Sequence, residues 1–481
     1  MGNSSLKQKT ALGLFWAAFN NGAMQILNAV IGIFLARLLL PADYGLVGML
    51  TIFTTVAATL QESGFTAALV NIKKPTDNDY NSVFWFCNIV SVFLFAILFF
   101  CAPLIADFFH QPKLVVLARV VFLTLPLSAI GTVPSAYLTK YLIVKPVAIQ
   151  RIIILIISGI VGITMAFKGM AYWSLVAQQI TYIGLQGFLK FFLIPWRPSF
   201  RIDFTPIKSM FAFSSKILVT NVINQINNNI LTVVFGRLFP VKVVGNFTQA
   251  YKWNNMASSF ITGTVGQVSQ TVFVATSDDD NRQLAVLRKM IRFTAFIAFP
   301  CMFGLAIISK EFIILLISNK WIDSVPILQM LCISGAFLPL YNPLQNIIIS
   351  RGRSNVYMWL SIIQIAIQTA LILIFASYGI LFMVGIYSLF IALWTIAWYC
   401  QVRKFVNYAG MMFAKDIFPF LLTSLLACAI AFIIGGMFTN MFLSLLIKIV
   451  IAVVLYYAVM KAAHAQIMKE CIDYLLKKKR S

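Results

Sequence analysis

Long apolar stretches fill the chain, separated by short polar turns and by proline- or glycine-containing breaks. The pattern predicts fourteen membrane-crossing helices, roughly 11–36, 43–71, 82–106, 114–137, 147–167, 171–194, 209–235, 243–274, 291–317, 325–349, 355–377, 379–402, 416–437 and 440–460. Each is long enough to cross a hydrocarbon core of about 30 Å. The expected fold class is therefore an all-α polytopic membrane protein. An even number of spans puts both termini on one side.

The polar positions inside these apolar stretches repeat. Asn21, Gln25 and Asn28 recur 200 residues later as Asn221, Gln225 and Asn228, Arg37-Leu38 recurs as Arg237-Leu238, and Gly45 as Gly245. A repeat this long points to two homologous lobes rather than a solenoid, whose units are far shorter. The first lobe occupies residues 1–194 (spans 1–6) and the second 209–402 (spans 7–12). Each lobe has an even number of spans, so both run in the same direction, as in transporters built from parallel repeats. An amphipathic linker, 195–208, mixes prolines, aromatics and cations and suits the membrane interface. Spans 13 and 14 (403–463) are an added pair, and a basic tail (464–481) closes the chain.

Composition agrees with a membrane chain: 60% of the 481 residues are hydrophobic and 11% charged. No soluble protein of this size hides so much apolar surface. The polar start, Met1 to Lys9, runs straight into span 1 and reads as a retained signal-anchor. A net charge of +23 would suit nucleic acid, but its placement argues otherwise. Of the 37 lysines and arginines, 26 fall on the side of the termini, eight on the other side and three within spans. By the positive-inside rule both termini are cytoplasmic. Membrane lipids with anionic headgroups are the expected partner of this charge, and nucleic acid is not. The seven cysteines are scattered through apolar runs without metal-ligand spacing and read as small hydrophobes. No P-loop, no G-x-S-x-G elbow and no histidine–carboxylate cluster occurs. The chain is therefore expected not to be an enzyme and to need no metal or cofactor.

Candidate chemistry lies with the polar residues inside spans. Asn21, Gln25 and Asn28 are spaced i, i+4, i+7 and share one helical face. Span 7 repeats that face with Asn221, Gln225 and Asn228 and adds Asn224, Asn227 and Asn229. Such amides either bond helix to helix, at roughly 1 kcal/mol each, or line a hydrated cavity. Span 8 carries Lys252, Ser259, Gly263, Gly266 and Gln270 on one face. Its small residues suggest close packing, yet a lysine at a helix centre costs about 2.5–3.5 kcal/mol on insertion scales. Lys216 on span 7 is a second such cation. Lys448 in span 14 lies near enough to the interface to snorkel. Glu62 is the only carboxylate expected inside a span, as a coupling group or a cavity charge. Arg37 and Arg237 close spans 1 and 7 on the outer side, either as interfacial anchors or as lining of the outer mouth.

Three segments resemble a known family: Phe34 to Met49 (Phe-Leu-Ala-Arg-Leu-Leu-Leu-Pro-Ala-Asp-Tyr-Gly-Leu-Val-Gly-Met), Gln61-Glu62-Ser63-Gly64-Phe65, and Ser215-Lys216-Ile217-Leu218 followed by Gly236-Arg237-Leu238. They are similar to bacterial O-antigen and exopolysaccharide flippases of the multidrug/oligosaccharidyl-lipid/polysaccharide (MOP) superfamily. That resemblance implies two six-helix lobes around a cavity, working by alternating access. It implies as substrate an undecaprenyl-diphosphate-linked oligosaccharide, moved from the cytoplasmic to the periplasmic leaflet for lipopolysaccharide, capsule or exopolysaccharide biosynthesis. On this reading Lys216 and Lys252 meet the diphosphate, the amides meet sugar hydroxyls, and polysaccharide polymerase or export machinery are candidate partners. Glu62 stands where many relatives have Asp, which puts a coupling role in doubt. Two other functions compete. A cation-coupled drug antiporter of the same superfamily would need more carboxylates in the first lobe. A membrane glycan ligase or polymerase would expose a large catalytic loop, and none is present.

Overall fold

A computed structural model describes residues 6–62, 64–200, 203–275, 279–463 and 467–468. These residues are helical nearly throughout, with no strand among them. The helices are α1 (Leu6–Leu38), α2 (Pro41–Glu62), α3 (Phe65–Asn71), α4 (Asp77–Phe108), α5 (Leu114–Val121), α6 (Thr124–Ile130), α7 (Thr132–Lys140), α8 (Val144–Phe167) and α9 (Trp173–Leu189). They continue with α10 (Thr205–Leu238), α11 (Val241–Ala275), α12 (Asp280–Leu316), α13 (Ser324–Ser350), α14 (Ser354–Ile374), α15 (Ile380–Val402), α16 (Gly410–Gly436) and α17 (Met441–Ala462). Every one of the fourteen expected ranges contains helix. Among the described residues, ten are long and apolar enough to cross a membrane, or eleven if the bent pair 114–130 and 132–140 counts as one. The chain is all-α and polytopic. α9 is only 17 residues long, and the long α10 and α11 are diluted by the amides already noted. The basic tail lies outside the described residues apart from 467 and 468.

By packing, the chain divides into two compact units, residues 1–245 and 246–481. In the first, α10 lies against α2, α3 and α4. The helix that opens the second sequence repeat thus belongs, by its neighbours, to the first packed unit. Gly64 explains part of this. It sits at φ +72°, a left-handed conformation that breaks α2 from α3, and a Cβ there would fall 2.7 Å from the Ser214 carbonyl oxygen. Only glycine offers both the turn and the close approach of α10. Phe65, next in the chain, is fully buried in an apolar cluster with Tyr80, Phe84, Val133 and Trp196. Trp196 also ties the linker to protein rather than to lipid, 5.7 Å from Phe84 between ring centroids. The linker is held further by Trp85 Nε1 donating to the Ser199 carbonyl at 2.7 Å and Ser199 N–H donating to Asn81 at 2.9 Å.

The repeated glycines have a mutual reason. A Cβ on Gly45 would collide with the Val241 carbonyl oxygen, and one on Gly245 with the Pro41 carbonyl oxygen. Pro41 and Val241 are the first residues of α2 and α11. Each repeat therefore contributes one helix start and one glycine to a reciprocal close crossing.

In the second unit α12 packs against α13, α16 and α17. Two expectations are corrected here. Lys448 does not snorkel: it is 4% exposed, and its Nζ donates to Glu311 Oε1 at 2.5 Å and to the Ile307 carbonyl at 3.2 Å. Nor is Glu62 alone as an in-span carboxylate. Glu311, on α12, also accepts from Ser444 at 3.1 Å. Asp416, on α16 and 2% exposed, accepts from Arg288 Nε at 2.8 Å and Nη2 at 3.0 Å. Arg292 lies 3.4 Å from the same carboxylate, and the Tyr408 hydroxyl donates to it at 2.8 Å. Burial and the neighbouring carboxylate push the Tyr408 phenol up, so it stays a donor. An in-span charge reaches a partner more cheaply by pairing across a helix interface than by stretching to water, and sequence spacing within one helix does not reveal such a pair.

Candidate functional site

The first unit holds a polar track that begins on α2. Gln61, 2% exposed, donates to Thr132 Oγ1 at 3.1 Å and accepts from Ser128 at 3.2 Å. Ser128, Thr132, Ser135 and Thr139 follow steps of four, three and four along α6 and α7, so they share one face despite the break at Gly131. That face leads to Lys190, which follows α9 and is 7% exposed. Its Nζ donates to Ser135 Oγ at 2.7 Å.

Beside Lys190 opens a pocket of about 250 Å³. Its polar lining is Asn21, Ser135, Thr139, Arg151 and Lys190, and Leu138, Leu142, Ile143, Val144 and Val147 are among its apolar walls. Arg151 is half-buried, and its Nε is buried without a hydrogen-bond partner. Lys190 and Arg151 repel each other. Glu62, exposed at the end of α2, attracts Lys190 through space but forms no ion pair with it. Ile143 and Val144 bring the start of α8, which has no side-chain cap, to the same pocket. Two cations side by side in one pocket make a site for an anion.

The expected site residues are divided by the structure. Asn21 lines the pocket, and Gln25 and Asn28 lie half-buried further along α1. On α10, Asn221 and Asn228 are exposed, and Asn224 and Gln225 half-buried. Asn229 bonds helix to helix, 3.4 Å from Thr55 Oγ1 on α2 and 2.9 Å from the Gln225 carbonyl. Lys252 is half-buried on α11, Ser259 is exposed, and a Cβ on Gly263 would meet nothing among the described residues. Neither Ser259 nor Gly263 is closely packed. The side chains of Lys216 and Gln270 lie outside the described residues. Arg237 is docked: its guanidinium meets the His110 ring and lies 5.6 Å from the Phe108 centroid, at the end of α4. Arg37 is exposed at the end of α1.

Residues 34–326 match the family of polysaccharide biosynthesis proteins. The chain belongs to that family. This polysaccharide biosynthesis protein is 24% identical to the teichuronic acid biosynthesis protein TuaB of Bacillus subtilis strain 168, over 84% of the chain and 82% of TuaB. It is 22% identical to the lipopolysaccharide biosynthesis protein WzxC of Escherichia coli K12, over 73% of the chain and 72% of WzxC. Its fold is that of the lipid II flippase MurJ in an inward closed conformation, with a TM-score of 0.72 at 17% identity, covering 94% of the chain and 99% of MurJ. These likenesses agree with the resemblance to MOP-superfamily polysaccharide flippases drawn from Phe34–Met49 and its companion segments.

Arg151 and Lys190 escaped the sequence reading, which placed them among cytoplasmic loop charges. The available signal was the Ser128–Thr139 stripe, a polar face on a span otherwise apolar.

Proposed function

We propose that this protein is a flippase for undecaprenyl-diphosphate-linked oligosaccharide repeat units. It carries them from the cytoplasmic to the periplasmic leaflet of a bacterial inner membrane, with both termini cytoplasmic. The observation that carries this reading is the cationic pocket of the first unit, walled by apolar side chains in an all-helical membrane chain. The names of the relatives agree: TuaB is a teichuronic acid biosynthesis protein, WzxC a lipopolysaccharide biosynthesis protein and MurJ a lipid II flippase. A diphosphate head cannot cross bare hydrocarbon, because an unpaired buried ion costs tens of kcal/mol in the Born limit. Cations and amides in a shielded path replace its water while the polyprenyl tail stays in lipid. Lys252 and Lys216 serve the diphosphate along that path, and the amides of the two repeats serve the sugars. The lobes 1–194 and 209–402 alternate access by rocking, as their parallel repeat suggests.

A cation-coupled antiporter fits less well. Its coupling needs several first-lobe carboxylates free to bind and release cations, and Glu62 is the one candidate singled out there; Glu311 and Asp416 lie in the second unit, tied to Lys448 and to Arg288 with Arg292. Deleting the gene tests the flippase. The lipid-linked glycan should accumulate on the cytoplasmic leaflet, and the full chain should clear it. Normal surface glycan in the deletion strain would overturn the reading.

A further inference from the structure

We propose that the pocket between α7, α8 and the end of α9 is a loading dock for a diphosphate, with Arg151 and Lys190 as its two cationic contacts. The inference rests on the flippase reading and extends it to residues outside the path through Lys216 and Lys252. Three observations converge. Lys190 is buried with Ser135 as its hydrogen-bond partner. Arg151 keeps a buried Nε without any. Both line one pocket, and among the described residues no carboxylate pairs with either, Glu62 offsetting only part of the Lys190 charge from a distance. Lys448 and the Arg288–Arg292 cluster have carboxylate partners, so two neighbouring cations without one are poised for a ligand that brings negative charge. One dianion next to both removes their mutual repulsion and satisfies the free guanidinium N–H. Asn21, at the pocket's edge, can donate to the bridging oxygen or to the first sugar.

The dock's position gives it a role. Arg151 lies two turns into α8 and Lys190 just beyond α9, both toward the chain's termini by the charge pattern. A diphosphate arriving from the inner leaflet meets this pocket before the centre of the bundle.

The test uses the purified full chain in detergent, with inorganic pyrophosphate and farnesyl diphosphate as probes, and nanodiscs with and without phosphatidylglycerol. The dock predicts that both probes bind and compete with each other, and that added salt weakens them. Arg151→Ala and Lys190→Ala should each weaken binding about tenfold or more, the usual effect of losing one charge-assisted contact. Arg151→Lys and Lys190→Arg should recover part of it, which separates contact loss from misfolding, and Lys74→Ala on the surface should bind like the parent. Unchanged pyrophosphate affinity in the two alanine variants overturns the dock, as does binding of phosphatidylglycerol that neither diphosphate displaces. In cells, the alanine variants should slow glycan export. Export at the parental rate with weakened probe binding would likewise remove the loading role. The gene deletion reads the flippase itself, so the two ideas fail separately.

Discussion

The pocket of the first unit and the clamp around α12 in the second treat buried charge in opposite ways. In the second, buried Lys448 meets Glu311, and the partly exposed Arg288 and Arg292 meet the buried carboxylate of Asp416. In the first, Lys190 is buried against a serine hydroxyl and Arg151 keeps an unbonded Nε. A paired charge inside a membrane is architecture, because its field is cancelled where it stands. An unpaired one holds a field that a passing anion can use, and the protein bears its desolvation cost. Both pairs of the second unit bind α12 to α16 and α17, one at each end of α12, so the added C-terminal hairpin is clamped to α12.

The sharpest way to break this comparison is to open a pair. Lys448→Ala leaves Glu311 buried and uncompensated and should cost about 3–5 kcal/mol, read as a fall in thermal unfolding temperature in detergent. Replacing both partners by apolar residues, Lys448→Met with Glu311→Leu, should recover most of that loss. A Lys448→Ala protein as stable as the parent would mean the pair is incidental. Asp416→Ala should come next, at roughly 3 kcal/mol. Arg288, Arg292 and the Tyr408 hydroxyl lose their acceptor, but the two arginines are partly exposed and can turn to water. Export per folded molecule should stay near normal.

On the unpaired side the expected effect moves from stability to transport. Lys252→Ala should lower glycan export several-fold with membrane levels of the protein near normal, because a half-buried cation with no ion pair among the described residues contributes little to folding. Lys252→Arg should keep part of the activity. Equal export in Lys252→Ala would return that lysine to a structural role. The smallest effect belongs to a paired group at the surface. Asn78 and the Thr205 backbone N–H donate to Asp203, each at 2.8 Å, and hold its carboxyl below its usual range. With the folded value depressed, its contribution is complete above the unfolded carboxylate range and fades as pH falls through the folded value. Asp203→Asn should therefore lower stability slightly at neutral pH, leave the acid end almost unchanged, and so flatten the acid limb of a stability-against-pH curve.

Sequence periodicity was enough for the helical membrane class, and the Phe34–Met49 segment with its companions was enough for the family. Apolar length and i, i+4, i+7 spacing are local properties, and the membrane makes helix the solution for such segments. The same local logic singled out Asn21, which lines the pocket, and Lys252, which is half-buried on α11. It went wrong where a side chain's fate depends on a distant helix. Lys448 looked able to reach water until Glu311, 137 residues earlier in the chain, took its proton-bearing end. Arg151 and Lys190 looked like loop charges until α8 and α9 packed side by side and closed a pocket around them. Even Gly45 and Gly245, visible as a repeat, gained a reason only when each met the other repeat's helix start. Spacing along one helix decides which residues share a face. What that face meets is decided by packing between segments, and for a charge in low dielectric the neighbour determines whether it serves as a clamp or a binding site.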